Sequence, residues 1–308
     1  MAAKIAVLGN INIDFVMGAE RMPRPGETVH GHSFRTVPGG KGANQAAAAA
    51  RLGASTAMVG CVGDDEFGSS LLANMRRQGV DTKYVRVDDG AASGTALIAV
   101  DDQGENSIIV SPGANGCVGR EDVDAAKPLL EEARYLVMQF EVPLSAVQYA
   151  IEVARELDLA VVLNPAPAYP VDADFLKGVY CLIVNEIEAV TLSGKDVTDL
   201  RTAEQAAKQL AGLGVKAVIV TLGAQGALLC EGGSVVHVPA RRVEVVDTTA
   251  AGDAFVGGLT AALLEGRSLP EATRYATCAG SLATTVMGAQ TSLPSKARVE
   301  AFFGEGSA

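Results

Sequence analysis

Short runs of consecutive apolar residues recur along the chain and predict buried β-strands. They cover residues 5–8, 57–59, 135–138, 160–163, 182–184 and 217–220. Their apolarity is continuous rather than alternating, which is typical of strands that are buried on both faces. Segments with helical spacing of apolar residues lie between or after them, over residues 44–52, 67–78, 123–132, 144–157, 203–213 and 254–264. This alternation predicts an α/β fold with a mostly parallel central sheet and helices on both faces.

Two stretches interrupt the alternation of strands and helices. Residues 15–37 contain several Pro and Gly residues, with extended pieces at 27–29 and 33–35, and residues 94–110 have the pattern of a hairpin with strands 95–100 and 106–110. We expect both segments to be inserted in one domain that spans residues 1–308 and to form a small β-sheet. A small sheet over the strand ends of an α/β domain would act as a lid.

Composition and charge exclude several classes of protein. Of the 308 residues, 48% are hydrophobic and 20% are charged, which is enough apolar material for a large core. A net charge of -11 argues against a nucleic-acid partner, because such surfaces carry basic patches. No apolar stretch reaches the length that spans a membrane. Five cysteines without CxxC spacing indicate buried free thiols, so we expect a cytoplasmic protein.

A glycine-rich segment at residues 38–44, Pro-Gly-Gly-Lys-Gly-Ala-Asn, precedes an alanine-rich predicted helix. Its glycines would let a ligand approach the backbone, and Lys41 and Asn44 supply donors for hydroxyl or phosphate oxygens; alternatively, the glycines only form a tight helix entry. The segment is not a P-loop, because Gly42 follows the lysine where Ser or Thr would be needed. Residues 9–12 also lack a GxGxxG fingerprint, which disfavours a Rossmann-type oxidoreductase.

A second segment, residues 247–253, leads into another predicted helix and is rich in small residues. Such a helix start leaves backbone N–H groups free, and the helix dipole adds positive potential, so the turn is suited to bind a transferring phosphoryl group. Asp253 lies at the beginning of this helix and is a candidate general base. Asp is also a preferred helix N-cap residue, so the sequence leaves both interpretations open.

Two polar segments follow predicted strands, at the sheet edge where α/β proteins bind ligands. In residues 185–188, Asn-Glu-Ile-Glu, a carboxylate could hold Mg²⁺ through water while Asn185 contacts a phosphate, or the segment could simply cap a surface helix. Residues 221–226, Thr-Leu-Gly-Ala-Gln-Gly, form either a hairpin turn or a contact to nucleotide phosphates.

The order of these motifs is specific. Residues 12–14 (NID), 39–45 (GGKGANQ), 164–168 (NPAPA), 185–188 (NEIE), 221–223 (TLG) and 247–255 (DTTAAGDAF) together resemble the ribokinase-like (PfkB) carbohydrate kinases, from residue 4 to about residue 303. The resemblance implies phosphorylation of D-ribose at O5 by ATP, giving D-ribose 5-phosphate and ADP, with Mg²⁺ and an activating K⁺. Another acceptor, such as deoxyribose, fructose or a nucleoside, and a non-catalytic sugar-binding protein on the same fold remain alternatives.

The resemblance also implies roles for individual residues. It places Asp253 at the family's catalytic base. The positions that correspond to the family's anion hole are Ala250, Ala251 and Gly252. Its sugar-binding positions are Asn12, Asp14, Gly40, Lys41, Gly42, Ala43, Asn44, Glu141 and Asp253. Its nucleotide-binding positions are Asn185, Glu188, Thr221, Gly223, Gly226 and Gly252, with Glu188 also tied to Mg²⁺. Its K⁺ positions are Asp247, Thr249, Ala283, Val286, Gly288 and Ser292.

The predicted small sheet carries apolar residues at positions that a lid would expose. Phe34, Leu97 and Ile109 are among them. An exposed sheet with apolar side chains favours pairing with a second copy of the chain, so we expect a homodimer formed through the lid.

Overall fold

A computed structural model describes residues 4–304 of the chain. Its strands are β1 (Lys4–Leu8), β2 (Asn12–Ala19), β3 (Gly31–Gly39), β4 (Thr56–Gly63), β5 (Val80–Asp88), β6 (Gly94–Asp101), β7 (Asn106–Ser111), β8 (Ala133–Gln139), β9 (Ala160–Asn164), β10 (Val179–Val184), β11 (Ala217–Thr221), β12 (Ala227–Glu231) and β13 (Ser234–Val238). Its helices are α1 (Lys41–Arg51), α2 (Glu66–Arg77), α3 (Arg120–Ala125), α4 (Lys127–Glu132), α5 (Leu144–Glu156), α6 (Ala173–Leu176), α7 (Glu186–Ser193), α8 (Leu200–Ala211), α9 (Ala251–Leu264), α10 (Leu269–Ala283), α11 (Ala289–Ser292) and α12 (Lys296–Gly304).

The main sheet has nine strands in the order β13-β12-β11-β10-β9-β8-β1-β4-β5. The seven strands from β11 to β5 run parallel, while β12 and β13 are antiparallel additions at one edge. Side chains of β1 alternate between two cores, since Ile5 and Val7 face one and Ala6 and Leu8 face the other. Both faces are buried, which explains the continuous apolar runs and confirms the predicted fold class.

Helices cover both faces of this sheet. Buried side chains of α3, α4, α5, α7 and α8 pack on one face. Those of α1, α2, α9, α10 and α12 pack on the other. None of the helices within the described part of the chain combines the length and apolarity needed to cross a membrane. The five cysteines form no disulfide, and all but Cys117 are buried; Cys117 is exposed, contrary to expectation.

The small sheet has the order β3-β2-β6-β7 and is separate from the main sheet. The pairs β2–β3 and β6–β7 are antiparallel, whereas β2 and β6 run parallel. The predicted hairpin and the extended piece at 33–35 are confirmed, but the piece at 27–29 is wrong. The structure has no strand there, and the chain turns just before it, at residues 24–27, where the Glu27 N–H donates to the Arg24 carbonyl at 2.9 Å and the Glu27 carboxylate pairs with Arg21.

Several predicted boundaries differ from the structure. The segment 123–132 is two helices, α3 and α4, because Pro128 lacks the N–H that a continuous helix would need. The helices that follow residues 38–44 and residues 247–253 both begin earlier than predicted. Helix α1 begins at Lys41 rather than Asn44, and α9 begins at Ala251 rather than Ala254. Lys41 therefore lies in the first turn of a helix instead of in a loop, and Asp253 lies in a first turn, in agreement with its predicted position at a helix start.

The two edge strands of the main sheet, β5 and β13, were missed by the search for continuous apolar runs. Strand β5 is an edge strand with charged residues on its solvent side, and its burial alternates instead of being continuous. Strands β12 and β13 form a hairpin in which β13 is again an exposed edge. Edge strands lack the second buried face that makes a central strand conspicuous in a sequence.

Helices α1 and α9 pack closely against each other. A Cβ on Gly257 of α9 would lie only 2.4 Å from the Ala48 Cβ and 2.8 Å from the Ala49 backbone nitrogen of α1. The absence of a side chain at Gly257 therefore permits this approach. As a consequence, the first turns of the two helices lie next to each other.

Candidate active site

The candidate residues converge at the carboxyl ends of parallel strands. Asn10 follows β1, Glu141 follows β8, Asn164 ends β9, Asn185 follows β10 and Thr221 ends β11. In a parallel sheet these ends share one edge, which is where open α/β folds bind ligands. The first turns of α1 and α9 face the same edge and complete the site.

Asp253 is buried in the first turn of α9, where only 8% of its surface is exposed. Its Oδ2 accepts a hydrogen bond from Asn44 Nδ2 at 2.9 Å, and its Oδ1 accepts one from Gln45 Nε2 at 3.0 Å. Asp253 is the third residue of α9, and the helix N-cap is Ala250. The interpretation of Asp253 as a capping residue is therefore wrong, and its role as a base stays a prediction.

Charged groups surround this carboxylate and determine its protonation. Burial raises the pKa of Asp253, while Lys41 and the amide donors of Asn44 and Gln45 oppose the rise. Burial acts against the charge of Lys41 as well, yet the carboxylates around it, Asp253 and Glu141 foremost, raise its pKa. Lys41 is therefore the cation that balances the acidic residues of the site. Its Nζ lies 4.0 Å from Glu141 Oε1.

The start of α9 presents backbone donors to the site. Ala250 has a left-handed conformation, with φ 59° and ψ 13°, which is uncommon for a residue with a Cβ. The Ala251 N–H donates to the Thr248 carbonyl at 3.2 Å, so it is already engaged. The N–H groups of Gly252 and Asp253 are in the first turn and have no intrahelical acceptor. With the positive end of the helix dipole, they form a place for an anion.

Two cavities meet at this helix start. A cavity of about 220 Å³ is lined by Lys41, Asn185, Glu188 and Asp253, together with Thr221 and Gly252. A larger cavity of about 510 Å³ is also lined by Thr221 and Gly252, and continues to Gly223, Gly226, the segment 240–245, and Thr277 and Gly280 of α10. All six predicted nucleotide positions thus line one or both of these cavities, which share Thr221 and Gly252. The segment 240–245 was not predicted and carries no motif.

Two of the sugar-binding candidates, Asn12 and Glu141, line a third cavity, here called the sugar-side cavity. This cavity, of about 430 Å³, is also lined by Asn10 and Asn115, among others. Gly40, with φ 90°, allows the turn into α1, and a Cβ there would lie 2.9 Å from the Asn12 backbone nitrogen. Gly42 and Ala43 contribute backbone only, and their N–H groups donate to Asn10 at 3.0 Å each.

Two buried oxygens of the sugar-binding candidates accept no hydrogen bond from any described residue. They are Asp14 Oδ1 and Asn44 Oδ1. Burial, together with Glu141, raises the pKa of Asp14 to about 6. Buried acceptors are normally paired, so these two oxygens suit a ligand that donates hydrogen bonds, such as a polyol.

Asn185 and Glu188 form a capping box at the start of α7. The Glu188 N–H donates to Asn185 Oδ1 at 2.8 Å, and the Asn185 N–H donates to Glu188 Oε2 at 2.9 Å. The capping interpretation is therefore correct, because each side chain accepts a hydrogen bond from a backbone N–H group at the helix start. Glu188 is nevertheless buried, its pKa is raised by burial, and it borders the smaller cavity beside Asp253. The Glu188 side chain thus caps α7 and also borders a cavity that could hold a ligand. Residues 221–226 likewise form the β11–β12 hairpin and line a cavity.

The predicted K⁺ residues are only partly brought together by hydrogen bonds. Asp247 Oδ2 accepts from the Gly288 N–H at 2.7 Å, and Asp247 Oδ1 accepts from the Thr249 N–H at 2.9 Å. Although burial opposes it, a hydrogen bond from the Thr249 hydroxyl, together with these two backbone bonds, holds the pKa of Asp247 below its usual value. Ala283 and Val286 are joined to each other by a backbone bond of 3.4 Å. The Ser292 hydroxyl instead donates to the Ala289 carbonyl at 2.7 Å.

Sequence reasoning did not assign the amides that lie close to Asp253. Gln45 donates to Asp253 and is also hydrogen-bonded to the buried Gln139 and the half-buried Asn164. Asn10 and Asn115 similarly hold the backbone of the sugar-side cavity. The signal was present, since each is an amide in an otherwise apolar or small-residue segment, but a single sequence does not show which amides face each other.

Comparisons with known proteins agree with this geometry. The chain matches the model of the pfkB family carbohydrate kinases over residues 2–296. It is 38% identical to a ribokinase from Haemophilus influenzae, covering 96% of this chain and 97% of that protein. It is 37% identical to a deoxyribokinase from Salmonella typhi, covering 94% and 95% of the two chains. It superimposes on an Arabidopsis thaliana ribokinase complexed with ribose and ATP with a TM-score of 0.91, at 32% identity, covering 98% of this chain and 99% of that one.

The raised pKa of Asp14 predicts how a substitution there changes stability with pH. Between its usual value of 3.8 and about 6, the folded carboxyl holds a proton that the unfolded chain has released, so the stability it contributes is lost as pH rises. We expect the unfolding free energy of Asp14→Asn, relative to wild type, to increase by about 1 kcal/mol from pH 5 to pH 7.5. Denaturant titrations at both pH values measure it.

The control for this experiment is Asp89→Asn, which changes an exposed aspartate. Its stability difference from wild type should be nearly the same at both pH values. A difference for Asp14→Asn that is equally independent of pH would contradict the burial cost assigned to this carboxylate.

Proposed function

The chain belongs to the pfkB family of carbohydrate kinases, and from this premise we propose that it transfers the γ-phosphoryl group of ATP to O5 of D-ribose. The products are D-ribose 5-phosphate and ADP. The observation that carries this proposal is the position of Asp253. Its buried carboxylate lies beside free N–H groups of a helix start, and its cavity adjoins both the larger cavity and the polar sugar-side residues. The near-full-length similarity to ribokinases supports ribose as the acceptor.

The proposed reaction is an in-line phosphoryl transfer. Asp253 accepts the proton of the O5 hydroxyl as O5 bonds to the γ-phosphorus, and the bond from that phosphorus to the bridging oxygen of ADP breaks. Charge that develops on the transferring group is stabilised by the N–H groups of Gly252 and Asp253 and by the dipole of α9. The same carboxylate therefore lies between acceptor and donor.

Sugar recognition is proposed for the polar residues around Lys41. The unpaired oxygens of Asp14 and Asn44 would accept hydrogen bonds from ribose hydroxyls, and Asn12 and Glu141 border the adjacent cavity. Lys41 would donate to the sugar or to the phosphate, which its position in the smaller cavity allows. A small neutral polyol satisfies these groups without a basic cluster for a second phosphate.

Mg²⁺ fits the phosphate side of the site. Within residues 4–304 no three acidic, histidine or cysteine side chains cluster to hold a metal ion. That is compatible with Mg²⁺, which keeps several waters and binds phosphates plus one or two carboxylates. Glu188 is the carboxylate beside the cavity, and it would act through water because both of its oxygens already accept hydrogen bonds from Asn185. When bound, Mg²⁺ would screen the phosphate charges.

A K⁺ ion is proposed for the loops joined by Asp247. The carboxylate ties Thr249, just before the helix start, to Gly288, just before α11. Carboxylate and carbonyl oxygens are the hard ligands that such a cation accepts. The further ligands proposed are the backbone oxygens of Ala283, Val286 and Gly288 and the hydroxyl of Ser292. A cation there would order the turn that leads to Gly252.

A second candidate acceptor is 2-deoxy-D-ribose, because the similarity to a deoxyribokinase is almost as high as the similarity to a ribokinase. The two sugars differ by one hydroxyl, which a buried acceptor such as the Asp14 carboxylate would distinguish. A coupled ADP-release assay with ribose, deoxyribose and fructose separates these acceptors by their kcat/KM values.

We also propose a homodimer formed through the small sheet. One face of that sheet exposes Phe34, Leu97 and Ile109, with 58%, 54% and 70% of their surfaces accessible. A contiguous apolar patch of this kind usually marks an interaction surface. The second copy is the proposed occupant because strand edges in the same sheet can pair symmetrically. We further propose a cytoplasmic location, consistent with five unpaired cysteines and testable by cell fractionation.

Asp253→Asn is expected to lower kcat by a factor of about 10² to 10⁴, because general-base assistance is lost while the amide occupies the same space. The dissociation constant for ribose, measured by calorimetry without nucleotide, should change far less. A variant that keeps more than about a tenth of wild-type kcat would exclude Asp253 as the base.

The cation proposal predicts a dependence of rate on the monovalent ion. At equal ionic strength, kcat should be several-fold higher in K⁺ than in tetramethylammonium, which is too large for a coordination site. Asp247→Asn should weaken this response, since it removes the charged ligand. Equal rates for the wild-type enzyme in both ions would contradict the proposed K⁺ site.

The dimer proposal predicts that Ile109→Glu shifts the protein towards monomer in sedimentation velocity experiments, because it places a charge in the apolar patch. Val87→Glu is the matched control: Val87 is 50% exposed on the outer strand β5 of the main sheet, and this substitution should leave the sedimentation coefficient unchanged. A wild-type protein that stays monomeric at micromolar concentration would contradict the proposal.

A further inference from the structure

Gln45 is a buried side chain in α1 that contacts the proposed base directly. Only 1% of its surface is exposed. Its Nε2 lies 3.0 Å from Asp253 Oδ1 and 3.0 Å from Asn164 Oδ1. Its Oε1 accepts a hydrogen bond of 2.6 Å from Gln139 Nε2. Because the oxygen of the Gln45 amide is taken by Gln139, the nitrogen is the atom that must face Asp253.

The partners of Gln45 are themselves fixed to the sheet. Gln139 is the last residue of β8 and is fully buried. Its side chain occupies space above Gly9, where a Cβ would lie only 2.1 Å from Gln139 Oε1. Asn164 ends β9, and its Nδ2 donates to the Ile183 carbonyl of β10 at 3.0 Å. The amide of Gln45 is therefore attached to the ends of adjacent strands rather than to a mobile loop.

We infer that Gln45, held in orientation by Gln139, is a positioning residue that fixes the carboxylate of Asp253 and favours its ionised form. The inference rests on the proposed function, in which Asp253 is the base. Gln45 itself touches neither substrate nor phosphate in this role, and acts only through the carboxylate.

The orientation of the carboxylate follows from two donors on different oxygens. Asn44 binds Oδ2 and Gln45 binds Oδ1, so rotation of the carboxylate about its χ2 bond would break both bonds. Each oxygen retains a lone pair, and one of them can face a sugar hydroxyl. Loss of the Gln45 donor would leave the carboxylate held from one side only, although the base itself would still be present.

Neutral hydrogen-bond donors also favour the ionised form of the Asp253 carboxylate. Asp14, Glu141 and Glu188 are the carboxylates that face it, and Lys41 is the cation that opposes them. Burial and the neighbouring acids disfavour another negative charge, so a single lysine has several carboxylates to balance. Hydrogen bonds from Gln45 and Asn44 favour the charged form without adding a titrating group.

The test compares three Gln→Met substitutions, which keep length and volume but remove the amide. Gln45→Met removes the donor to Asp253, and Gln139→Met leaves Asp253 untouched but frees the orientation of Gln45. Gln209→Met is the control, because Gln209 of α8 is an exposed residue whose amide donates to the Ser193 carbonyl in another part of the fold. Aspartate carboxyl groups are labelled with ¹³C, and the Asp253 signal is assigned by its loss in Asp253→Asn.

The expected result is an upward shift of the Asp253 titration midpoint by roughly one pH unit in Gln45→Met, because a hydrogen bond to the charged form is lost. The shift should be smaller in Gln139→Met and absent in Gln209→Met. The acid limb of the kcat–pH profile should move in the same direction for each variant. A purely structural role would lower thermal stability without moving either midpoint. If Gln45→Met does not fold, the shift in Gln139→Met decides the question.

An unchanged Asp253 midpoint in both Gln45→Met and Gln139→Met would overturn the inference. This failure is distinct from failure of the proposed function. In the first case Asp253→Asn is inactive and only the glutamine variants behave like wild type. In the second case Asp253→Asn itself retains turnover, whatever the glutamine variants do.

Discussion

The site depends on the close packing of α1 against α9. Both helices begin at the carboxyl edge of the sheet, and the missing side chain at Gly257 lets them approach until a Cβ would overlap Ala48. That contact places Asn44 and Gln45 of one helix against Asp253 of the other. A wider separation would leave a buried carboxylate without its amide donors, at a cost typical of unsatisfied buried charges.

This arrangement buries several charged groups, and their burial costs free energy. Asp14, Glu141 and Asp253 all have their pKa values raised by burial, and Lys41 is the neighbouring cation that stabilises them. Such a cluster stabilises the fold less than an apolar core would, yet it provides acceptors for a polyol and a base next to a helix N-terminus. Asp253 lines the smaller cavity, which shares Thr221 and Gly252 with the larger one, so an acceptor beside Asp253 would be next to a nucleotide in the larger cavity.

The sequence was sufficient for the parallel sheet, because central strands such as β1 are buried on both faces and read as continuous apolar runs. It was insufficient for β5 and β13, whose solvent-facing side chains resemble a loop in composition. Asp253 and Lys41 were found from their helix-start motifs, whereas excluding a capping role for Asp253 required the coordinates. Gln45 and Gln139 are 94 positions apart. Their pairing depends on where strands β1 and β8 lie in the sheet, which local sequence does not encode.

The central claim is that Asp253 lies between the acceptor hydroxyl and the transferring phosphoryl group. A crystal structure with ribose and a non-hydrolysable ATP analogue tests it most directly. The account predicts an Asp253 carboxylate oxygen within about 2.6–3.2 Å of ribose O5, on the side opposite the Gln45 and Asn44 donors, with the γ-phosphoryl group against the Gly252 N–H. A complex in which another hydroxyl faces the phosphoryl group, or in which Asp253 contacts neither ligand, would contradict it.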